Sequence, residues 1–182
     1  FSRKIKKSLF MQLIKIFKVS NIDQNSAGGV QVLTFHNFNE NEIKLFKNFI
    51  HFLKEKYKFI NPEEFLFYKN QKSNKPPILL TFDDGFYSNY KIAKHVLQPL
   101  SIKAIFFVPT SFINRTENEN QKSFIENNLL IKSDRNSYAA CANPMKWKHL
   151  KELVENGNVI GSHTKNHYVL SKIKDEKILI DE

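Results

Sequence analysis

Two adjacent carboxylates followed by a glycine, and two histidines four residues apart, are the residues of this 182-residue chain whose types and spacing could do chemistry. The first group is Asp83-Asp84-Gly85 and the second is His163-Thr164-Lys165-Asn166-His167. Like charges as close as Asp83 and Asp84 raise one another's pKa unless a cation shares them. One turn of helix would put His163 and His167 on one face, close enough to hold one metal ion. Two imidazoles and one carboxylate make a three-ligand site that keeps open positions for water and substrate. Spacing alone leaves open which aspartate would be the ligand.

The flanking residues say what must position these groups. Ile78-Leu79-Leu80-Thr81-Phe82 follows Pro76-Pro77 and has no polar face before Asp83, as suits a strand buried on both sides in a parallel sheet. Gly85 can take positive φ and turn the chain sharply. A second short apolar strand, Val159-Ile160, runs through Gly161 into the histidines. The plainer alternatives are a strand-to-helix turn with Asp84 as N-cap, and a surface histidine pair. Two strand ends that carry complementary ligand types weigh against both.

These residues resemble the polysaccharide deacetylases (carbohydrate esterase family 4, the chitooligosaccharide deacetylase homology domain). Thr81-Phe82-Asp83-Asp84-Gly85 is similar to that family's first motif, and His163-Thr164-Lys165-Asn166-His167 to its second, His-Ser/Thr-x-x-His. Softer likenesses are Leu33-Thr34-Phe35-His36, Ala104-Ile105-Phe106-Phe107-Val108, and the run from Met145 through Gly157 to Ser162. The resemblance implies an α/β fold, a distorted (β/α) barrel of about seven parallel strands, of which these residues supply about five. It implies that Asp84, His163 and His167 hold one divalent ion, with zinc expected. It makes Asp83 the general base toward the attacking water, and Thr164 a support for the histidine loop. His36 would be a cleft residue, or simply a capped strand end. The implied substrate is an acetylated polysaccharide or oligosaccharide, and the implied reaction is removal of acetyl groups from amino sugars by hydrolysis of a linear amide. The alternative is a non-catalytic, deacetylase-like module that binds carbohydrate or a membrane surface. The family's later motifs, which carry an arginine, an aspartate pair and a Leu-x-His, do not occur in the 15 residues after His167, so the sequence is expected to be part of a longer protein.

Composition bounds the reading. Hydrophobic residues make up 41% of the chain and 17 are phenylalanine, which permits one sizeable core. A single cysteine, Cys141, excludes an intrachain disulfide within these residues and reads as a passive thiol. The net charge is +10, and residues 1–18 contribute six basic residues and no acid to it. The remainder holds 22 basic against 18 acidic residues, so the excess sits at one end, which argues against a nucleic-acid partner.

That end, residues 1–29, reads as a basic amphipathic helix and a linker, and residues 30–182 as the deacetylase-like domain. Ile5, Leu9, Leu13, Ile16 and Phe17 share one face and Lys4, Lys7, Lys15 and Lys18 the other. Such a helix can lie on an anionic membrane surface, which suggests a membrane-surface or cell-envelope location, or it can pack on the domain. Beyond it, the pattern predicts strands at 30–35, 58–60, 78–82, 102–108 and 159–160. Helices are predicted at 40–56, 87–97, 146–155 and from Lys172 onward, with a helix start at Asn61-Pro62. Strands that alternate with helices predict a parallel sheet. The Asn-rich stretch 114–143 reads as a long surface loop.

Overall fold

In a computed structural model, which describes residues 29–68, 74–115, 118–131 and 142–182, one strand is buried along its whole length. This is Pro77–Phe82, called β3, and every one of its six residues is buried. It lies within a five-stranded, all-parallel sheet with β1 (Gln31–Phe35), β2 (Lys58–Phe59), β4 (Ala104–Val108) and β5 (Val159–Ser162). The path runs β1-β3-β4-β5, and β2 pairs with the start of β3. Among the described residues the sheet does not close, as in part of a barrel. The apolar run without alternation is therefore explained by neighbours on both edges and cover on both faces.

Register fixes what emerges where. Phe35 pairs with Phe82, and Phe82 with Phe106. Alternation then sorts side chains to two faces. Ile78, Leu80 and Phe82 join the main core together with Leu33, Phe35, Ala104, Phe106 and Val108. Leu79, Thr81 and Asp83 turn to the other, concave face. There Thr81 donates a hydrogen bond to the Thr34 hydroxyl at 2.9 Å.

Helix α1 (Glu40–Lys56) covers the core face. Its boundaries match the sequence expectation because both ends are chemically marked. The Asn39 side chain accepts from the Glu42 N–H while Glu42 reaches back to the Asn39 N–H, and Lys54 and Lys56 occupy the last turn. Phe46, Phe49, Ile50 and Leu53 form its buried stripe. They meet an aromatic cluster in which Phe35 and Phe46 pack edge to face at 5.0 Å and Phe82 stacks on Phe106 at 5.1 Å.

Asn61 and Pro62 start a single 3-10 turn, Pro62–Glu64, that leads into the short α2 (Phe65–Tyr68). Helix α3 (Tyr87–Ile92) widens into a π-helical turn over Ala93–Leu97 and tightens at Gln98–Leu100, ending at Ser101 in the left-handed region. The expected strand at 102–108 is paired only from Ala104, and the strand at 159–160 extends to Ser162. Helix α5 (Trp147–Glu155) precedes β5. The final helix, α6 (Glu176–Asp181), starts later than expected because Asp175 caps it by accepting from the Lys177 N–H.

The stretch 114–143 corrects the loop expectation. It contains helix α4 (Asn118–Asn127), and Phe124, Ile125 and Leu129 are buried with Phe86, Phe112 and Ala142 in a second, smaller core. The Asn-rich surface hid the helix, since asparagine has weak helix propensity and, among its described side chains, Phe124 and Ile125 are the buried apolar ones. The expected amphipathic helix at residues 1–18 and Cys141 lie outside the described residues. No helix among the described residues is long and apolar enough to cross a membrane.

The stacked pair at the sheet centre gives a direct test of this packing. Phe106→Ala should lower unfolding stability by ~3–5 kcal/mol in urea titrations, through lost burial and a residual cavity. Phe67→Ala, at a position 60% exposed, should stay within ~0.5 kcal/mol.

Candidate active site

Because the strands are parallel and in register, the residues that follow them emerge on one edge of the sheet. His36 follows β1, Asp83 and Asp84 follow β3, and His163 follows β5. Ties between loops hold this edge together. The Asp83 N–H donates to the Phe35 carbonyl at 2.8 Å, and the His163 N–H to the Val108 carbonyl at 3.2 Å.

The turn after β3 is built from left-handed backbone. Asp84 has φ 71° and Gly85 φ 72°. At Gly85 a Cβ would also stand 3.0 Å from Ile113 Cδ1, so both backbone and space favour glycine. Asp84 is not the N-cap of α3: that position is Phe86, and Asp84 instead turns inward. It is 4% exposed, and its Oδ1 has no hydrogen-bond partner.

His163 and His167 converge on that orphaned oxygen. Asp84 Oδ1 lies 3.6 Å from His163 Nε2 and 3.5 Å from His167 Nε2, and the two nitrogens are 3.2 Å apart. The expectation that a helical turn aligns the histidines is corrected. Residues 163–167 are an irregular loop in which Thr164 (φ 63°) and His167 (φ 60°) are both left-handed. These two reversals fold the loop back on itself, which a helix would have to break to do. Within the loop the Thr164 Oγ1 accepts the His167 N–H at 2.9 Å. The loop is laced to the end of β4, with Ser111 donating to the Lys165 carbonyl at 2.9 Å.

One partner of the histidines was not legible in the sequence. His167 Nδ1 lies 2.9 Å from the carbonyl oxygen of Asn128, just past α4. A carbonyl can only accept, so Nδ1 carries the proton and Nε2 keeps its lone pair. Asn128 also donates its side-chain amide to the Asn166 carbonyl at 2.7 Å. The contact to His167 comes from the main chain, which any residue type could supply, so no side-chain pattern marks it. Asn89, fully buried in α3, adds a support from its side chain, whose amide donates to the Asp83 carbonyl at 3.0 Å.

Close packing also shapes the wall beside His163. A Cβ at Gly161 would fall 2.5 Å from the Phe107 ring, so only glycine lets that ring lie where it does. The ring stands 6.4 Å from the His163 imidazole. Phe107, Thr81, Asp83 and His163 line a cavity of about 550 Å³ on the concave face.

The electrostatics follow from burial. Burial raises the pKa of both Asp83 and Asp84, with the nearby histidines opposing it. Burial, reinforced by His167, lowers the pKa of His163. Asp83 Oδ1 is buried without a partner, and Asp83 Oδ2 faces His36 Nε2 at 3.9 Å. The His36 side chain is 58% exposed, so it stands at the mouth of the site beside Asp83.

The donor set suits a metal ion. Asp84, His163 and His167 each offer one ligand atom, all within 4.8 Å of one another. Ligands ~2.0–2.1 Å from a tetrahedral centre lie ~3.3 Å apart, close to the edges of this triangle. An orphaned carboxylate oxygen and an imidazole whose pKa burial lowers suit the deprotonated donors a metal requires.

Similar folds occur in IcaB from Ammonifex degensii, at 22% identity and TM-score 0.55 over 76% of this chain and 54% of that one. The deacetylase PplD of Streptococcus pyogenes, solved in complex with acetate, gives 20% and 0.58 over 86% and 65%. A polysaccharide deacetylase of Bacillus cereus gives 22% and 0.54 over 80% and 42%. The chain thus spans less than two thirds of the length of each of these structures, and at such identities the likeness is one of fold. Among curated proteins no relative matches. The sequence model of the polysaccharide deacetylases matches residues 70–181, more than half of the chain and every residue of both motifs, and the chain belongs to that family.

Proposed function

We propose that this chain is the metal-binding part of a hydrolase that removes acetyl groups from amino sugars of a polysaccharide. The observation that carries this reading is the donor triangle of Asp84, His163 and His167 with Asp83, whose buried Oδ1 has no hydrogen-bond partner, beside it. These three residues would hold one divalent ion, and an N₂O donor set with open positions fits zinc. Once bound, such an ion polarises a carbonyl and lowers the pKa of water.

The chain's own residues supply the rest. Asp83 Oδ1 accepts the proton of the attacking water. Burial makes this carboxylate a stronger base than one in water, and its unused lone pairs leave it ready to accept. His36, when protonated, stabilises the carboxylate from the mouth of the site. Thr164 and the Asn128 carbonyl hold His167 with its Nε2 toward Asp84. Phe107 and the packed strands keep the cavity wall apolar beside His163. In this proposal residues 30–182 act as one deacetylase domain, with residues 1–29 as a separate basic segment and linker.

Metal analysis of purified protein tests the site. The wild type should hold one ion per chain, and His163→Ala and His167→Ala should each lose it; equal content in all three would rule the site out. Asn128→Ala, which removes the tie to Asn166, should weaken metal binding by about tenfold.

The base is tested separately. Asp83→Asn should retain the ion yet lower acetate release from chitooligosaccharides by ~10²–10⁴. Acetate release that is unaffected, or absent from metal-loaded wild type as well, would favour a non-catalytic binding module.

We also propose that residues 1–18 bring the domain to an anionic membrane surface, from their apolar face and six basic residues without an acid. Co-sedimentation with anionic vesicles should weaken as salt rises and disappear when the segment is deleted. A deletion that leaves co-sedimentation intact would assign the segment to packing.

A further inference from the structure

The connection from β2 to β3 carries apolar surface that the chemistry above does not use. Pro62 and Phe65 of this connection line the cavity that also holds Asp83 and His163. Leu66 and Phe67, next along α2, are instead 77% and 60% exposed. A single exposed apolar side chain needs no explanation. Two large ones in succession, set among lysines, have a definite chemistry.

Aromatic rings and ammonium groups alternate around the pair. The Phe67 ring meets Tyr68 edge to face at 5.1 Å. The Lys58 ammonium lies over the Tyr68 ring at 4.4 Å and donates to the Tyr68 hydroxyl. The Lys58 N–H donates to the Pro76 carbonyl at 3.0 Å, which brings Lys75 alongside, and Lys75 Nζ reaches the Lys54 carbonyl at 3.3 Å. At the end of α1 the Lys56 ammonium lies over the Phe52 ring at 4.8 Å. Lys54, Lys56, Lys58 and Lys75 are all exposed. Residues 54–75 hold six lysines against three acids, Glu55, Glu63 and Glu64, a net charge of +3. Glu64 is drawn into the cap of its own turn, where it accepts the Asn61 N–H at 2.8 Å.

These are the side chains of a lipid interface. Leu66 and Phe67 have no polar atom to satisfy and gain only by leaving water. Lysine stems lie along apolar surface and carry their charge to its rim, and a tyrosine ring tipped by a hydroxyl suits the headgroup level. The lysines also discriminate between partners. Lysine is depleted at protein–protein interfaces, whereas beside anionic headgroups it stays hydrated and is attracted.

We propose that Leu66 and Phe67, flanked by Lys54, Lys58 and Lys75, enter the surface of an anionic lipid bilayer. This contact shares its partner with the reading of residues 1–18 but rests on different residues, and two weak contacts on one body reinforce each other. Because Phe65 of the same helix lines the cavity of the candidate site, the contact holds that cavity next to the lipid.

Fluorescence tests this at the residue itself. Trp147 is the sole tryptophan, so the full chain carrying Trp147→Phe and Phe67→Trp reports position 67 alone. With vesicles of equal parts phosphatidylcholine and phosphatidylglycerol its emission should shift to the blue, and lipids brominated on the acyl chain should quench it. Both responses should be missing with phosphatidylcholine alone and should shrink as salt rises. In the otherwise wild-type chain, Leu66→Ser/Phe67→Ser and Lys58→Ala/Lys75→Ala should each weaken co-sedimentation with the mixed vesicles by about tenfold. The equally charged control Lys44→Ala/Lys47→Ala, on exposed positions of α1, should stay within about twofold, since charges beyond a Debye length from the lipid are screened. Co-sedimentation without a shift or quenching at position 67 would overturn the contact and leave attachment to residues 1–18. Equal responses to phosphatidylcholine alone would overturn the anionic surface as the partner. Self-association that Leu66→Ser/Phe67→Ser abolishes, with no response to either vesicle, would overturn the lipid in favour of a second copy of this chain.

Discussion

The constraint on which the rest depends is a carboxylate oxygen buried with no hydrogen-bond donor. Asp84 Oδ1 faces two imidazole nitrogens at 3.5–3.6 Å, and burial disfavours its charge. A fold that carries such a group must fix its surroundings firmly, since a mobile chain would let the carboxylate swing to water. β3 does this, because the strand that delivers Asp84 is the most enclosed in the sheet. The cation proposed for this place would relieve the orphaned oxygen and draw on both imidazoles at once.

The two faces of the sheet divide the work. Phe82 and its neighbours on the helix-covered side lock β3 by aromatic packing with Phe35, Phe46 and Phe106. One residue further on, the alternation turns Asp83 to the concave side, where Thr81 and Phe107 form the wall. Asp84 breaks the alternation by adopting left-handed backbone, which sends two consecutive carboxylates in different directions. The turn therefore gives the adjacent aspartates distinct partners, His36 for one and the histidine pair for the other.

Much of this was legible in the sequence because the signals are local. The run to Phe82, the Asn39/Glu42 cap of α1 and the glycine after Asp84 each act within a few residues of themselves. The paired motifs located Asp84, His163 and His167 as well as Asp83, and the structure brings the first three together. What stayed hidden acts at long range or through the main chain. The Asn128 carbonyl reaches His167 across 39 positions. Helix α4 is stabilised by Phe86 and Phe112 from outside its own segment, so its own residues signal it weakly. The histidine loop shares the four-residue spacing of a helical turn, and only the reversals at Thr164 and His167 distinguish it.

Those reversals explain why the second core matters to the site. Left-handed backbone at Asp84, Thr164 and His167 costs on the order of 1–3 kcal/mol at each non-glycine position. It persists only where surrounding contacts over-determine it. Thr164 is held by its own bond to the His167 N–H, and His167 by the Asn128 carbonyl. Asn128 is in turn fixed by the end of α4, whose Phe124 stacks on Phe112 at 5.1 Å. The chain of support runs from an aromatic stack, through a helix end, to one imidazole tautomer. The convergence of the three donor atoms is thus offset by packing during folding, and a ligand that needs them finds them already placed.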